Sequence, residues 1–298
     1  MSDQLFTTHK HEIVLDRFGD DFFIPVFSDV HRYAYNCDVD KWHKTLEFFK
    51  KLEALHPGRV RYLGNGDYDD LGSTSERMKL AHSEFHDTTY DSLDDYMDKR
   101  TRDLCKELEF MKGRVIGLVE GNHHYRFASG DTSTMRMCHY LGTKYLGGIS
   151  IIRLDFLYKG AKVGKRCSLD IYAHHTAGSR GGGGRKAGSS LNKLEDMADV
   201  WDVDICIASH DHKINSGIPV RMYLDRHMNV KQRDILLVRT GSFQKGWVPG
   251  KQGYVPTFNG KPNFLGCPII KLTPIREGVH TPHETISIKK AVLMGDYC

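Results

Sequence analysis

The residues of this chain that are best suited to chemistry are carboxylate, amide and imidazole side chains, and they follow short apolar stretches. Asp29 and His31 come directly after one such stretch, and Asp67 and Asp70 follow a second. Three further stretches end in the same way, in the segments Asn122-His123, His174-His175 and His210-Asp211-His212. Oxygen and imidazole ligands without thiolate suit Mn, Fe, Zn and similar ions. The pattern therefore predicts a site formed by side chains that are capable of binding a metal.

Short apolar, β-branched runs alternate with helical patterns early in the chain and follow one another later. The runs predict strands over residues 22–30, 59–66, 114–120, 149–158, 169–173, 203–208, 218–224, 235–240 and 268–272. Helical patterns cover residues 40–55, 75–111 with at least one interruption, and 189–200. This order predicts an α/β core with a mixed sheet or a sandwich of two sheets. Because ligands bind beyond the carboxyl ends of strands in open α/β sheets, we expect the polar strand ends to form one site.

Composition limits the class of protein only broadly. The 298 residues are 40% apolar and carry a formal net charge of +4, which does not by itself indicate nucleic-acid or membrane binding. The seven cysteines are scattered and never form a C-x-x-C pair, which favours reduced thiols. The N-terminus has no signal pattern, and no apolar run approaches the roughly 20 residues of a transmembrane helix. We therefore expect a cytoplasmic protein that does not bind a membrane.

One H-x-H pair lies outside the set of polar strand ends. With 17 histidines in the chain, such a pair by itself is close to a chance event. Because His9-Lys10-His11 follows no predicted strand, we interpret these residues as part of an exposed leader.

The order of the polar strand ends is more specific than their number. They are D-x-H, G-D-x-x-D, G-N-H, a strand-end histidine and H-x-H, at Asp29-Val30-His31, Gly66-Asp67-Tyr68-Asp69-Asp70, Gly121-Asn122-His123, His175 or His174, and His210-Asp211-His212. In these motifs the chain resembles the calcineurin-like metallophosphoesterase superfamily over about residues 22–215. The resemblance implies an α/β fold, a metallophosphoesterase-type sandwich of two mixed β-sheets flanked by helices. It also implies a single domain over residues 1–298, in which strands over about residues 217–298 complete the second sheet.

The resemblance also implies a set of ligands for two divalent metal ions. Asp67 bridges the two ions, and the remaining ligands are Asp29, His31 and His212 on one ion and Asn122, His175 and His210 on the other. His175 is favoured over His174, because family members often carry this ligand before a small residue and His175 precedes Thr176 and Ala177. Mn²⁺ is the favoured ion, with Fe, Zn, Ni or Mg as alternatives.

The same resemblance implies a mechanism of phosphate-ester hydrolysis. Two cations about 3.5–4 Å apart lower the pKa of a water between them and hold the phosphoryl oxygens. His123 then faces the substrate and assists the leaving group, and Asp70 orients His123. Where the family usually has an acidic residue after G-N-H and a glycine before H-x-H, this chain has His124 and Ser209. Neither position is a ligand in the family pattern, so these departures concern the surroundings of the metal site.

Basic residues near the motifs favour a phosphodiester substrate. Arg126 follows the G-N-H motif, and Arg180, Arg185 and Lys186 lie in or beside a glycine-rich segment. Backbone N–H groups that glycine residues leave accessible bind phosphate well, and so do guanidinium groups. We therefore expect these residues, together with His174, to contact the substrate. The leading prediction is a metal-dependent, nuclease-like phosphodiesterase whose substrate is DNA, RNA or a nucleotide. The alternatives are a phosphomonoesterase or protein phosphatase of the same superfamily and a non-catalytic binding module.

Overall fold

The structure is a computed structural model that describes residues 6–70, 87–159, 166–177, 188–225, 227–250, 262–277 and 285–294. Helices α1 to α4 of this described part span Val39–Leu55, Asp87–Glu107, Ser133–Leu141 and Gly188–Ala198, and a 3₁₀ turn spans Glu109–Met111. None of the described helices combines the length and the apolar character that are needed to cross a lipid bilayer.

The first sheet has six strands and carries the N-terminal strand at one edge. In spatial order the strands are β1 (Phe6–Leu15), β5 (Ile149–Tyr158), β6 (Arg166–His174), β7 (Ile205–Ala208), β11 (Leu236–Thr240) and β8 (Ile214–Gly217). β7 runs parallel to both β6 and β11. The carboxyl ends of these three strands therefore lie at the same edge of the sheet.

The second sheet has five strands and combines early and late parts of the chain. In spatial order they are β13 (Thr285–Leu293), β12 (Ile269–Glu277), β2 (Phe22–Phe27), β3 (Tyr62–Asn65) and β4 (Val115–Val119). β2, β3 and β4 are parallel, whereas β12 is antiparallel to both of its neighbours. β9 (Val220–Leu224) and β10 (Val230–Asp234) form a separate antiparallel ribbon.

The two sheets pack face to face around one apolar cluster. Ile24 and Val26 of β2 contribute to it from the five-stranded sheet, and Ile171 and Ile207 contribute from the six-stranded sheet. Alternate residues of β2 point the other way, where Phe23 and Phe27 join a second cluster with residues of α1, α2 and α3. Burial on both faces explains why this segment of the sequence is continuously apolar.

The remaining helix covers the outer face of the six-stranded sheet. Leu194 of α4 packs in a third cluster with Tyr172, Cys206 and Leu237 of three neighbouring strands. Two mixed sheets with helices on their outer faces confirm the predicted fold class. The sequence patterns do not predict β1, β8, β10, β13 or α3, and residues 75–86 of the second helical pattern lie outside the described residues.

The interpretation of His9-Lys10-His11 as part of an exposed leader is wrong. These residues lie within β1, which pairs in parallel with β5, and the side chains of His9 and His11 are partly buried. They alternate with exposed Lys10 and Glu12, as expected for an edge strand that covers one face only. Tertiary pairing with a strand about 140 residues later creates this element, and no local pattern marks it.

Candidate metal centre

The polar side chains predicted to form a site lie together where strands of both sheets end. The five-stranded sheet contributes the segments after β2, β3 and β4, and the six-stranded sheet contributes those after β6 and β7. Backbone hydrogen bonds join the first two segments, because the N–H groups of Asp29 and His31 donate to the carbonyl oxygens of Gly66 and Asp67 at 3.0 and 3.1 Å. The site is therefore built across the two sheets.

The backbone is strained at most of the predicted ligands. Positive φ angles of 45° to 69° occur at five of them, which are Asp29, His31, Asp67, His210 and His212. The left-handed region costs a residue with a Cβ atom roughly 1–2 kcal/mol, because Cβ approaches the following carbonyl oxygen. Such strain is concentrated at functional sites, where the surrounding structure holds the residues in place.

Two glycines allow the strand ends to approach each other closely. A Cβ atom on Gly121 would lie 2.0 Å from Asp67 Oδ1, and one on Gly66 would lie 2.5 Å from His175 Nδ1. Gly66 also has a φ of +95°. Any side chain at these two positions would displace a predicted ligand, which accounts for the glycine in the G-D and G-N motifs.

The first group of candidate ligands consists of Asp29, His31 and His212. Their nearest ligand atoms all lie within 4.8 Å of one another. His212 Nε2 is 3.3 Å from Asp29 Oδ1, and His31 Nε2 is 3.9 Å from the same oxygen. One carboxylate oxygen and two imidazole nitrogens thus point at a common position.

The second group consists of Asp67, His175 and His210. His175 Nε2 lies 2.9 Å from Asp67 Oδ2, and His210 Nδ1 lies 2.8 Å from Asn122 Oδ1. Asp67 Oδ2 is also 3.8 Å from His31 Nε2 of the first group. Asp67 is therefore placed between the two groups, as a carboxylate shared by two ions would be.

Unpartnered buried atoms show that the centre suits a cation. Asp29 Oδ1 and both ring nitrogens of His31 are buried and have no hydrogen-bond partner. Leaving buried polar atoms without a partner is costly, and a divalent ion would satisfy carboxylate and imidazole donors together. The residues present therefore fit a bound metal ion.

The pKa values of the central residues reflect the same concentration of charge. Burial lowers the pKa of His31, but the neighbouring carboxylates of Asp29 and Asp70 outweigh burial and raise it to about 10. Burial likewise lowers the pKa of His175, and the charges of Asp67 and Asp29 raise it to about 9. Burial raises the pKa of Asp67, but the His175 imidazole holds it below its usual range. A buried centre with these carboxylates attracts cations strongly.

His123 and Asp70 lie next to the two groups. His123 Nδ1 is 3.3 Å from Asp70 Oδ1, and Asp70 Oδ2 is 3.6 Å from His31 Nδ1. Burial raises the pKa of Asp70, but its contacts with these two imidazoles hold it well below its usual range. His123 also lies within reach of His31 and Asp67 as a third candidate ligand group. The structure thus places His123 beside the predicted metal ligands, with Asp70 against its Nδ1.

The structure brings His175 to the centre and places His174 outside it. The nitrogens of His174 are 2.9 Å from the Tyr172 hydroxyl and 3.0 Å from the Thr176 hydroxyl. Burial and the charge of His175 lower the pKa of His174 to about 4, so its ring is neutral. His174 therefore has two hydroxyl partners away from the carboxylates.

The predicted substrate-binding residues are placed unevenly. Arg126 lies three residues after His123 in the sequence and is exposed. It forms an isolated backbone bridge with Thr132. Arg180, Arg185 and Lys186 lie outside the described residues. Contact of these four side chains with a substrate stays a prediction.

Sequence reasoning missed a buried polar layer beneath the ligands. Ser28, Ser209 and Thr240 are fully buried hydroxyl residues that adjoin the ligand segments. Arg239 is also fully buried, and its guanidinium donates to the carbonyl oxygens of Ala177, Ser190 and Ser209. A signal for Arg239 was present, since it is the single charged residue of the apolar run 235–240.

Comparison with known proteins finds similar solved structures but no matching family model or curated protein. Three similar solved structures are Vps29 from Chaetomium thermophilum, a conserved uncharacterised protein described as a predicted phosphoesterase from Streptococcus pneumoniae, and the calcineurin-like phosphoesterase YfkN from Bacillus subtilis. In its motifs and its two-sheet fold, the chain resembles the calcineurin-like metallophosphoesterases.

These similarities extend over most of each chain at low identity. The Vps29 structure is 14% identical, with 91% of this chain and 96% of that chain covered and a TM-score of 0.34. The Streptococcus pneumoniae structure is 13% identical, with coverage of 91% and 99% and a TM-score of 0.31. YfkN is 10% identical, with coverage of 91% and 90% and a TM-score of 0.34.

Proposed function

We propose that the protein is a two-metal phosphodiesterase that acts on a nucleic acid or a nucleotide. The observation that carries this proposal is the position of Asp67 between buried histidines of the two ligand groups, with His175 Nε2 at 2.9 Å and His31 Nε2 at 3.8 Å from its Oδ2 atom. Asp29, His31 and His212 would hold one ion, and His175, His210 and Asn122 would hold the other. Mn²⁺ is the ion that the family resemblance favours, and oxygen and imidazole ligands without thiolate are compatible with it.

When bound, two divalent ions activate a water and neutralise the charge that develops on the phosphoryl oxygens. The residues of this chain supply the orientation. Asp67 is held from both sides, since Oδ1 accepts a hydrogen bond from the His123 backbone N–H and Oδ2 faces His175. The shared carboxylate therefore cannot rotate without breaking one of these contacts.

His123 is suited to donate a proton to the leaving group. Its Nδ1 faces Asp70, so Nε2 is the nitrogen left for an oxygen of the substrate. The Asp70 carboxylate beside Nδ1 orients the ring, and the doubly protonated imidazole is the form that can donate. After the proton has moved from Nε2 to the alkoxide oxygen, Asp70 still holds the Nδ1 proton and the ring in place.

Basic residues of the sequence support a polyanionic diester as the substrate. Arg126 is exposed close to His123 in sequence, and Arg180, Arg185 and Lys186 follow the His175 segment. Guanidinium groups near the metal ligands would contact phosphates that flank the scissile bond. The described cysteines are all free, which supports a reducing compartment such as the cytoplasm.

A hydrolysis screen tests the proposal. The purified protein is freed of metal and supplied in turn with Mn²⁺, Fe²⁺, Zn²⁺, Ni²⁺ and Mg²⁺. It is then assayed on bis-p-nitrophenyl phosphate, p-nitrophenyl phosphate, cyclic nucleotides and short oligonucleotides. We expect metal-dependent hydrolysis with a preference for diesters. Preference for the monoester would overturn the diester assignment, and no hydrolysis with any ion would favour a non-catalytic binding module.

A further inference from the structure

A chain of buried polar side chains runs beneath the metal centre and ends on Asp29. Asn65 Nδ2 lies 2.5 Å from Ser209 Oγ, and Ser209 Oγ lies 2.8 Å from Thr240 Oγ1. Thr240 Oγ1 in turn lies 2.5 Å from Ser28 Oγ, which donates to Asp29 Oδ2 at 2.8 Å. Every one of these residues is at most 1% exposed, so water does not replace any of the contacts.

The chemistry of the end groups limits which atoms of this hydrogen-bond chain can donate. Each hydroxyl has one proton, the ionised carboxylate can only accept, and the amide nitrogen of Asn65 can only donate. Thr240 Oγ1 donates to Ser209 Oγ, which also accepts from Asn65 Nδ2, and either hydroxyl of the Ser28–Thr240 contact can be the donor. Hydrogen bonds that share a hydroxyl group polarise one another, so the partners of Thr240 influence the contact of Ser28 with Asp29.

The chain of hydrogen bonds holds one carboxylate oxygen of Asp29 in place and leaves the other oxygen to act as a metal ligand. Oδ2 accepts from Ser28 Oγ and also from the His210 backbone N–H at 3.1 Å. Oδ1 is buried without a hydrogen-bond partner and lies 3.3 Å from His212 Nε2. Two donors on Oδ2 thus fix the rotation of the carboxylate so that Oδ1 points at the first ligand group.

The same chain of hydrogen bonds also connects the two sheets. Ser28 and Asn65 belong to the carboxyl ends of β2 and β3 in the five-stranded sheet, whereas Ser209 and Thr240 belong to those of β7 and β11 in the six-stranded sheet. A change at Thr240 can therefore reach Asp29 across the sandwich.

We propose that Ser209 and Thr240 are positioning residues for the metal centre, which act through Ser28 to fix the Asp29 carboxylate. The inference rests on the proposed function, because it requires Asp29 to bind a metal ion. It assigns a role to Ser209, the residue that stands in the position before H-x-H. It also assigns a role to Thr240, which adjoins none of the motifs.

A pair of substitutions at Thr240 tests this role. Thr240→Ala and Thr240→Ser both remove the γ-methyl group, and they differ only in the hydroxyl. Loss of a residue that orients a metal ligand typically costs about 10–100-fold in metal affinity. We therefore expect Thr240→Ala to weaken Mn²⁺ binding by about this factor in titration calorimetry. Thr240→Ser should stay close to wild type, and the visible spectrum of bound Co²⁺ should change only in the alanine variant.

Ser209→Ala interrupts the chain of hydrogen bonds at a second position, and Thr101→Ala is the matched control. Thr101 is a fully buried threonine of α2 whose hydroxyl donates to the Met97 carbonyl within the same helix. Unfolding of each variant in the presence of a chelator reports stability separately from metal affinity. Ser209→Ala should weaken metal binding as Thr240→Ala does, whereas Thr101→Ala should lower stability only.

The outcomes separate this inference from the proposed function. Wild-type metal affinity and an unchanged Co²⁺ spectrum in both Thr240→Ala and Ser209→Ala would overturn the positioning role and leave the two-metal proposal standing. Equal weakening by Thr240→Ala and Thr240→Ser would also overturn it, because packing and not the hydroxyl would then be responsible. A wild-type protein that binds no divalent ion would overturn the proposed function itself and this inference with it.

Discussion

The backbone N–H of His123 donates a hydrogen bond of 2.9 Å to Asp67 Oδ1. The proposed proton donor and the proposed bridging carboxylate are thus tied together directly, although they come from the ends of different strands, β4 and β3. Movement of one segment would shift the other. A substrate positioned against the metal ions would therefore also be positioned against the His123 ring.

Replacing Asp67 tests the bridge. Asp67→Asn keeps two polar atoms of the same shape, so the hydrogen bonds to His123 and His175 can persist and the fold should be retained. The variant lacks the negative charge that holds two cations close together, so we expect almost complete loss of activity and loss of at least one metal ion per chain. Metal analysis and turnover measure the two effects.

A matched control for this change is Asp155→Asn. Asp155 is also a buried carboxylate, but it interacts with Ser168 and Lys10 and not with the predicted ligands. The control should keep its metal and its activity. Two retained ions and near-normal turnover in Asp67→Asn would contradict the bridge.

Replacing His123 tests proton donation. His123→Ala should retain metal and lower kcat by roughly 10²–10⁴-fold, the usual contribution of a general acid. The loss should be smaller for a nitrophenolate leaving group, which needs little protonation, than for an alkoxide. His139→Ala, a change in α3, is the control and should affect neither substrate. An equal loss on both leaving groups, or loss of metal, would falsify the assignment of His123 as the proton donor.

The basic segment after His175 is tested by changing Arg180, Arg185 and Lys186 together to alanine. If these side chains contact flanking phosphates, KM for an oligonucleotide should rise much more than KM for a small aryl diester. The oligonucleotide KM of the wild type should also increase steeply with salt, and that of the variant less steeply, because each lost phosphate contact removes released counterions from the equilibrium.

An equal change of charge elsewhere provides the comparison for this triple variant. Lys50, Lys51 and Lys106 are exposed lysines of α1 and α2, and their replacement by alanine removes the same three positive charges. Similar effects of the two triple variants would mean that net charge, and not a phosphate contact of the basic segment, sets the affinity for the oligonucleotide.

Arg239→Met should destabilise the protein strongly. The guanidinium is fully buried and lies 3.7 Å from Asp211 Oδ2, which has no hydrogen-bond partner. Removing one partner of a buried ion pair typically costs about 3–5 kcal/mol, because the other charge stays buried. Urea unfolding in the presence of a chelator measures the loss.

Arg153→Met, which breaks an exposed ion pair with Asp170, should cost less than about 1 kcal/mol. Similar losses in both variants would contradict the role of Arg239.

The sequence by itself determined which side chains were candidates for metal binding and where along the chain they occur. One apolar strand is followed by Asp29 and His31, and another is followed by His210 and His212. These positions can be read from the local order of residues alone. The glycine of each G-D and G-N motif was also visible in the sequence. The α/β class followed from the order of strands and helices, because the pattern of burial is repeated locally along each element, whereas the sandwich of two sheets was implied by the family resemblance.

Contacts between distant segments could not be predicted in this way. β1 pairs with β5 about 140 residues away, so its histidines look like an isolated pair until the sheet is assembled. Ser28 and Thr240 are 212 residues apart, and their hydroxyls meet only because the two sheets pack with their carboxyl ends together. No spacing in the sequence marks Thr240 as a partner of a ligand segment.

Only the tertiary structure decided which of the two histidines at the end of β6 joins the carboxylates. His174 and His175 are adjacent and chemically identical, and neighbouring residues of a strand point to opposite faces. The face that reaches the centre depends on which side of β6 packs against the other sheet. That packing places His175 against Asp67, and it leaves His174 between the hydroxyls of Tyr172 and Thr176.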